Sequence, residues 1–86
     1  MIIDMKKFLF LPVVIYFDED TYIAKCPLIQ GAFAEGDTPE EALKELMDVI
    51  RMIFEYKKER QEEMEILKEF KVDIKDKLCI TIPVSI

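Results

Sequence analysis

The 86-residue chain contains no histidine and no tryptophan, only two glycines, and only two cysteines. Without histidine it lacks the most common general base and metal ligand, and no Ser–His or Cys–His nucleophile pair can form. Cys26 and Cys79 are too few and too far apart for a disulfide framework or a CxxC metal site. We therefore expect two buried apolar thiols, no enzymatic activity, no catalytic residues, no metal and no cofactor.

Long hydrophobic runs are also missing, since none reaches the roughly 18 residues that span a membrane. A basic pair at 6–7 followed by an apolar run faintly resembles a signal peptide. Pro12 within the run, the acidic residues after it and the lack of a small-residue cleavage site argue against that interpretation. We expect one domain over residues 1–86, a cytoplasmic location and no membrane partner.

The chain has twelve basic and eighteen acidic residues. The resulting net charge of −6 argues against direct binding of nucleic acid. Residues 18–41 contain seven acidic residues and one basic residue, Lys25, whereas the rest of the chain contains eleven of each. All of the excess charge therefore lies in this segment. Its acidic residues are Asp18, Glu19, Asp20, Glu35, Asp37, Glu40 and Glu41.

The β-branched and aromatic run 8–17 predicts a first strand with apolar residues on both faces. One helix covers only one face of a sheet, so we predict a homo-oligomer, either a dimer or a tetramer. Turn residues predict further strands at 21–26 and 31–35, the latter short enough for a sheet edge. Residues 78–86 alternate between apolar and polar positions, and Pro83 places that strand at an edge as well.

The stretch GAFAEGDTPEEA, residues 31–42, predicts the start of the long helix. Thr38 is a good N-cap, Pro39 suits the first helical position, and Glu41 completes a capping box. Gly36 is expected either at a positive φ or where two backbone segments come close together. The tight turn between the strand and the helix is thus encoded locally.

Apolar residues at three- and four-residue steps follow this start and predict one broad core stripe on the helix. Apolar spacing resumes after the charged run 57–63, so either the helix continues toward residue 69 or a second short helix packs back. The stripe comprises Ala42, Leu43, Leu46, Met47, Ile50, Ile53 and Phe54.

The element order β-β-β-α-β predicts an α+β fold with sheet order 3-2-1-4 and the helix on one face. The first three strands form an antiparallel meander. We expect the helix to return the chain so that the last strand runs parallel to the first.

With these elements in place, the chain resembles the HicB antitoxin family. That family carries a similar Pro–Gly–Gly-Asp-Thr–Glu-Ala pattern after a strand with an acidic turn and a tyrosine, here Tyr22. Ala32 stands where the family often has cysteine, and a small apolar residue fills the same space. The matching residues are Pro27, Gly31, Gly36, Asp37, Thr38, Glu41 and Ala42, with Pro39 inside the pattern.

The resemblance implies a partial ribonuclease-H-like fold, oligomerisation and neutralisation of HicA, a small toxin that cleaves mRNA. Many members also carry a C-terminal DNA-binding module. This sequence ends at Ile86 without room for one, so we expect no direct DNA binding. A two-metal nuclease needs carboxylates within the first strand, but its middle is Val13–Tyr16, so we expect no RNA cleavage by this chain itself.

The predicted topology brings the two acidic stretches to one end of the sheet. We predict that Asp18, Glu19, Asp20, Asp37 and Glu40 bind a basic partner. The alternative is that these residues serve only the turn and the helix start. The alternative function is a stand-alone oligomeric scaffold or small-ligand module of the same fold, without a toxin.

Overall fold

The computed structural model describes residues 8–62 and 77–85. In this part of the chain four strands form one sheet, ordered β3-β2-β1-β4, and a single helix packs on one face. The elements are β1 (Phe8–Asp18), β2 (Thr21–Lys25), β3 (Phe33–Gly36), α1 (Pro39–Glu59) and β4 (Leu78–Ser85). The predicted α+β class, element order and strand order are confirmed, and β3 and β4 lie at the two edges.

The direction of β4 differs from the prediction. Phe8 pairs with Ser85 and Ile15 with Leu78, so β4 runs antiparallel to β1, and the predicted parallel arrangement was wrong. The prediction assumed that only α1 carries the chain from one end of the sheet to the other between β3 and β4. Eighteen residues, 60–77, separate α1 from β4. Extended, they reach up to roughly 60 Å, more than the roughly 37 Å of an eleven-residue strand. The chain can therefore travel the length of the sheet once more before β4 begins.

The helix begins where the sequence predicts and ends earlier than one of the two alternatives. Pro39 is in the first turn and Thr38 is the N-cap. The helix ends at Glu59, and Gln61 has a φ of 55°, which an α-helix cannot continue through. Continuation toward residue 69 was therefore wrong, because a left-handed residue follows the last turn. The second short helix, expected beyond residue 63, lies outside the described residues.

The core lies between α1 and the sheet. Val13 and Ile15 of β1 face the helix, together with Ala24 and Cys26 from β2 and the loop after it. The helix contributes its stripe, with Ala42, Leu46 and Ile50 fully buried and Leu43, Ile53 and Phe54 packed beside them.

Two predicted core residues are exposed. Met47 is 46% exposed because the stripe is wider than the contact that α1 makes with the sheet. Cys79 is exposed because it lies on the face of β4 turned away from the helix, which corrects the prediction of two buried thiols. Cys26 is buried as predicted.

A membrane-spanning helix was not found within residues 8–62 and 77–85, since α1 is not apolar enough for that role.

Candidate protein-binding site

The first acidic stretch is the turn between β1 and β2. Asp18 pairs with Thr21, so Glu19 and Asp20 form a two-residue turn. Both have positive φ, 47° and 67°, the backbone required by the hairpin turn that matches the twist of the strands. Asp18, Glu19 and Asp20 are all exposed, so this tight turn presents three consecutive carboxylates to solvent.

The second acidic stretch follows β3 and lies next to this turn. Tyr22 pairs with Gly36, and the Thr21 hydroxyl donates a hydrogen bond of 3.1 Å to the Gly36 carbonyl oxygen. The end of β3 is thus tied to the first residue after the turn. Because of this register, Asp37 follows β3 at the same end of the sheet as Asp20.

Gly36 also brings the helix start against the end of β3. Its φ is not positive; instead, a Cβ at this position would stand 2.5 Å from the Ala42 nitrogen and 2.8 Å from the Glu41 Cβ. The close backbone approach is therefore the reason for glycine here, the second of the two predicted possibilities. No larger residue fits without moving α1 away from β3.

Side-chain caps fix the backbone between β3 and α1. The Glu41 N–H donates to the Thr38 hydroxyl oxygen at 3.1 Å, as the capping box predicts. The reciprocal bond is shifted by one residue, since the Glu41 carboxylate accepts the Asp37 N–H at 2.9 Å rather than that of Thr38. The Glu41 carboxylate is thereby engaged with the backbone although the residue is exposed, as are Asp37 and Glu40.

We call five of the seven exposed acidic residues of segment 18–41, namely Asp18, Glu19, Asp20, Asp37 and Glu40, the acidic rim. The ion pairs found among residues 8–62 and 77–85 join residues of α1 and the turn after it, and none includes a rim residue. The one base of segment 18–41, Lys25, lies 6.0 Å from the Tyr16 ring, on the opposite face of the sheet from α1. The rim is therefore a compact surface of one charge sign, held by a hairpin, a strand end and a helix start.

The remaining motif residues lie at the other end of the sheet. Pro27 and Gly31 belong to the loop from β2 to β3, which is closed by a 2.9 Å hydrogen bond from the Cys26 N–H to the Ala32 oxygen. Gly31 has a φ of +82°, a conformation that favours glycine. Ala32 is buried in the core, as expected for a small apolar residue. The motif thus marks two structural turns and does not form a single site.

A groove that the sequence does not predict lies between α1 and β4. It has a volume of about 290 Å³ and is mostly apolar, with the Arg51–Asp48 ion pair of 3.2 Å at its side. Its signal in the sequence was weak, because Met47 belongs to the same apolar stripe as the core residues. The groove is lined by Met47, Asp48, Ile50, Arg51, Pro83 and Val84.

The sheet face turned away from α1 also has contacts that the sequence did not predict. Tyr16 lies there between two lysines, with the ammonium groups of Lys77 and Lys25 at 4.9 Å and 6.0 Å from its ring centre. Phe10 and Phe33 share this face and are 66% and 56% exposed. The alternation of β1 did predict the face of Tyr16, but Lys77 precedes a strand whose direction was predicted wrongly.

Metal-binding chemistry has no candidate in the described ranges, where no three Cys, Asp or Glu side chains come together as ligands. Comparison with known proteins adds no relative: no protein-family model, curated protein or solved structure matches this chain.

Proposed function

We propose that this chain is a HicB-like antitoxin, which binds a small HicA-type toxin and neutralises its cleavage of mRNA by covering the toxin's active site. The motif 27–42 and its resemblance to that family support the proposal, as does the sheet order β3-β2-β1-β4 with one helix. Its most direct support lies in residues 18–42, and the antiparallel direction of β4 departs from the predicted arrangement.

The observation that carries the proposal is the acidic rim. A ribonuclease must attract the phosphates of its substrate, so the surface around its active site is expected to be basic. The rim offers carboxylates in place of phosphates. Segment 18–41 contains the entire excess charge of the chain, so the long-range field that attracts a basic protein originates there.

The rigidity of the rim supports the same role. The turn at Glu19 and Asp20 is held between paired strands, and Thr21 ties it to Gly36. The helix start is fixed by Thr38 and Glu41. Carboxylates on a fixed backbone lose less conformational entropy on binding than carboxylates on a mobile loop. In this proposal both proteins are cytoplasmic, because the toxin acts on mRNA, and this chain itself contacts no nucleic acid.

The experiment requires the protein encoded by the neighbouring reading frame. A small basic protein of double-stranded-RNA-binding type would be purified and assayed for cleavage of a labelled mRNA with increasing amounts of this chain. We expect cleavage to stop at stoichiometric amounts, with a complex isolated on a sizing column. Undiminished cleavage in the presence of an excess of folded chain would contradict the proposal.

The alternative, a small-ligand module, receives less support from the structure. The groove between α1 and β4 is at the small end of the range for ligand sites. Within the described residues no buried polar or charged side chain is available to orient a ligand there.

A further inference from the structure

We propose that β4 pairs with β4 of a second copy, so that two sheets join edge to edge in an antiparallel, twofold-symmetric dimer. This dimer is independent of the proposed antitoxin function. The sequence predicts an oligomer from the apolar open face of β1, whereas the structure points to a different surface, the outer edge of β4.

The hairpin determines which backbone groups of β4 point outward. In a two-residue hairpin, the residues flanking the turn, here Asp18 and Thr21, form a hydrogen-bonded pair. Even-numbered residues of β1 therefore direct their N–H and C=O groups toward β2, and odd-numbered residues direct theirs toward β4. By the register of β1 and β4, Cys79 and Thr81 then direct their backbone groups away from β1, to the outer edge.

Two further observations agree with this assignment. Pro12 and Pro83, which have no N–H, are paired with Thr81 and Phe10, both at non-hydrogen-bonded positions of the β1–β4 ladder. The same alternation requires even-numbered residues of β2 and the residue after it to direct their N–H groups toward β3. The Cys26 N–H does so, since it donates to the Ala32 oxygen. Within residues 8–62 and 77–85 no strand lies beyond β4, and in this part of the chain the outer N–H groups of Cys79 and Thr81 face no other strand.

The two edges of the sheet differ in a way that selects β4. β3 has four residues, includes Glu35 and is packed against α1. β4 has eight residues, LCITIPVS, with no charged side chain, and Pro83 is the only residue that discourages pairing. Edge strands are usually protected by charge, so a long uncharged edge is suited to pairing with another strand.

The position of the helix supports the same surface. α1 packs on β3 and β2 and, less extensively, on β1, and its backbone does not come close to β4. Leu78 on the helix side of β4 is consequently 54% exposed, and Ile80 and Val84 are only partly buried. A twofold axis perpendicular to the sheet places these rows of the two copies side by side on the same face, which removes apolar surface from water.

Electrostatics favour a second copy at this edge over other positions. Two chains of net charge −6 repel each other, and the excess lies in segment 18–41. β4 is at the opposite edge of the sheet from β3, so pairing of β4 with β4 joins uncharged strands. The acidic rims remain at the outer parts of the dimer, accessible to a basic partner.

The test combines the oligomeric mass with amide exchange in the unaltered protein. Sedimentation equilibrium should give twice the chain mass of 10.2 kDa. Hydrogen exchange followed by NMR should show the amides of Cys79 and Thr81 protected roughly tenfold or more, with protection that falls on dilution. A monomer mass at micromolar concentration, or a dimer in which these two amides exchange as fast as those of the exposed loops, would overturn the proposal.

Variants at one position separate edge pairing from other causes. Thr81→Pro removes one outer N–H and leaves the β1–β4 hydrogen bonds intact, so it should give a folded monomer. Thr81→Ala keeps the N–H and should remain a dimer. Phe33→Ser alters the open face and should also remain a dimer. Dissociation by Phe33→Ser, with folded and dimeric Thr81→Pro, would assign the interface to the open face and overturn the proposal.

Discussion

The Ala42 nitrogen lies only 2.5 Å from the point where a Cβ at Gly36 would stand. This close approach holds the end of β3 against the first turn of α1. The two acidic stretches are positioned by the same contact, because Asp37 follows Gly36 and Asp20 precedes the Thr21 that is bonded to Gly36. A change at this glycine should therefore affect both stability and partner binding.

Gly36→Ala should destabilise the fold by about 3 kcal/mol, at the upper end of the range for overpacking, because the new methyl group would meet backbone atoms that cannot rotate away. Gly31→Ala is the matched control. Nothing lies within 4 Å of a Cβ there, and only its φ of +82° is unfavourable, so its cost should be about 1 kcal/mol. Denaturant midpoints give both values. Equal costs for the two glycines would show that the contact with Ala42 is not the constraint.

Thr38→Ala should cost about 1 kcal/mol through loss of the hydrogen bond to the Glu41 N–H. Thr38→Ser keeps the hydroxyl and should cost much less. Glu41→Gln keeps an acceptor for the Asp37 N–H and should be nearly neutral, whereas Glu41→Ala should be destabilising. Thermal unfolding of the four variants tests this order. If Thr38→Ala and Thr38→Ser are equally stable, the cap does not contribute as described.

The two cysteines should differ in reactivity. Cys79 is exposed and should react quickly with a thiol reagent, whereas Cys26 is buried and should react only on unfolding. Burial raises the pKa of the Cys26 thiol above its ordinary value of 9.0, despite opposing hydrogen bonds from the Leu28 and Ile29 backbone. Thiolate is the reactive form, so the raised pKa reinforces the protection of Cys26.

The same shift gives a pH dependence of stability. The folded state binds the Cys26 proton more tightly than the unfolded state, so the protonated thiol contributes to the stability of the fold. This contribution is fully present below the pKa of the unfolded thiol. It is lost as the pH rises through the folded pKa, above about 9. Cys26→Ala should lack this alkaline loss. Rapid labelling of both thiols in the folded protein would contradict the assignment of Cys26 to the core.

Local signals in the sequence were sufficient for much of the fold. The helix start could be predicted because Thr38, Pro39 and Glu41 act through bonds within one turn. The edge position of β4 could be predicted because Pro83 has no N–H to donate and is therefore disfavoured in a central strand. The direction of β4 could not, since it depends on the path of residues 60–77 and not on any residue of the strand. The end of α1 could not be predicted either, because there is no glycine or proline near Gln61 to indicate it.

The acidic rim could be proposed from the sequence because its residues cluster at strand and helix ends, where topology alone brings them together. The groove and the exposure of Leu78 beside it could not. Both depend on the lateral position of α1, which packs mainly on β3 and β2 and leaves Leu78 exposed. Packing of this kind is a property of the tertiary structure and has no periodic signal.

The rim itself is tested by charge removal with a matched control. Changing Asp18, Glu19 and Asp20 together to Asn, Gln and Asn removes three charges without shortening any side chain. The control changes three exposed glutamates of α1 to Gln and alters the net charge equally. These control positions are Glu45, Glu55 and Glu59.

The most direct measurement is the association rate of each variant with the proposed HicA-type toxin, as a function of salt. The Debye length falls from about 30 Å at 0.01 M to about 8 Å at 0.15 M, so rim-driven attraction should weaken over that range. We predict a slower association rate and a flatter salt dependence for the rim variant than for the control. Equal rates and slopes for the rim variant, the control and the unaltered chain, with all three folded, would contradict the account.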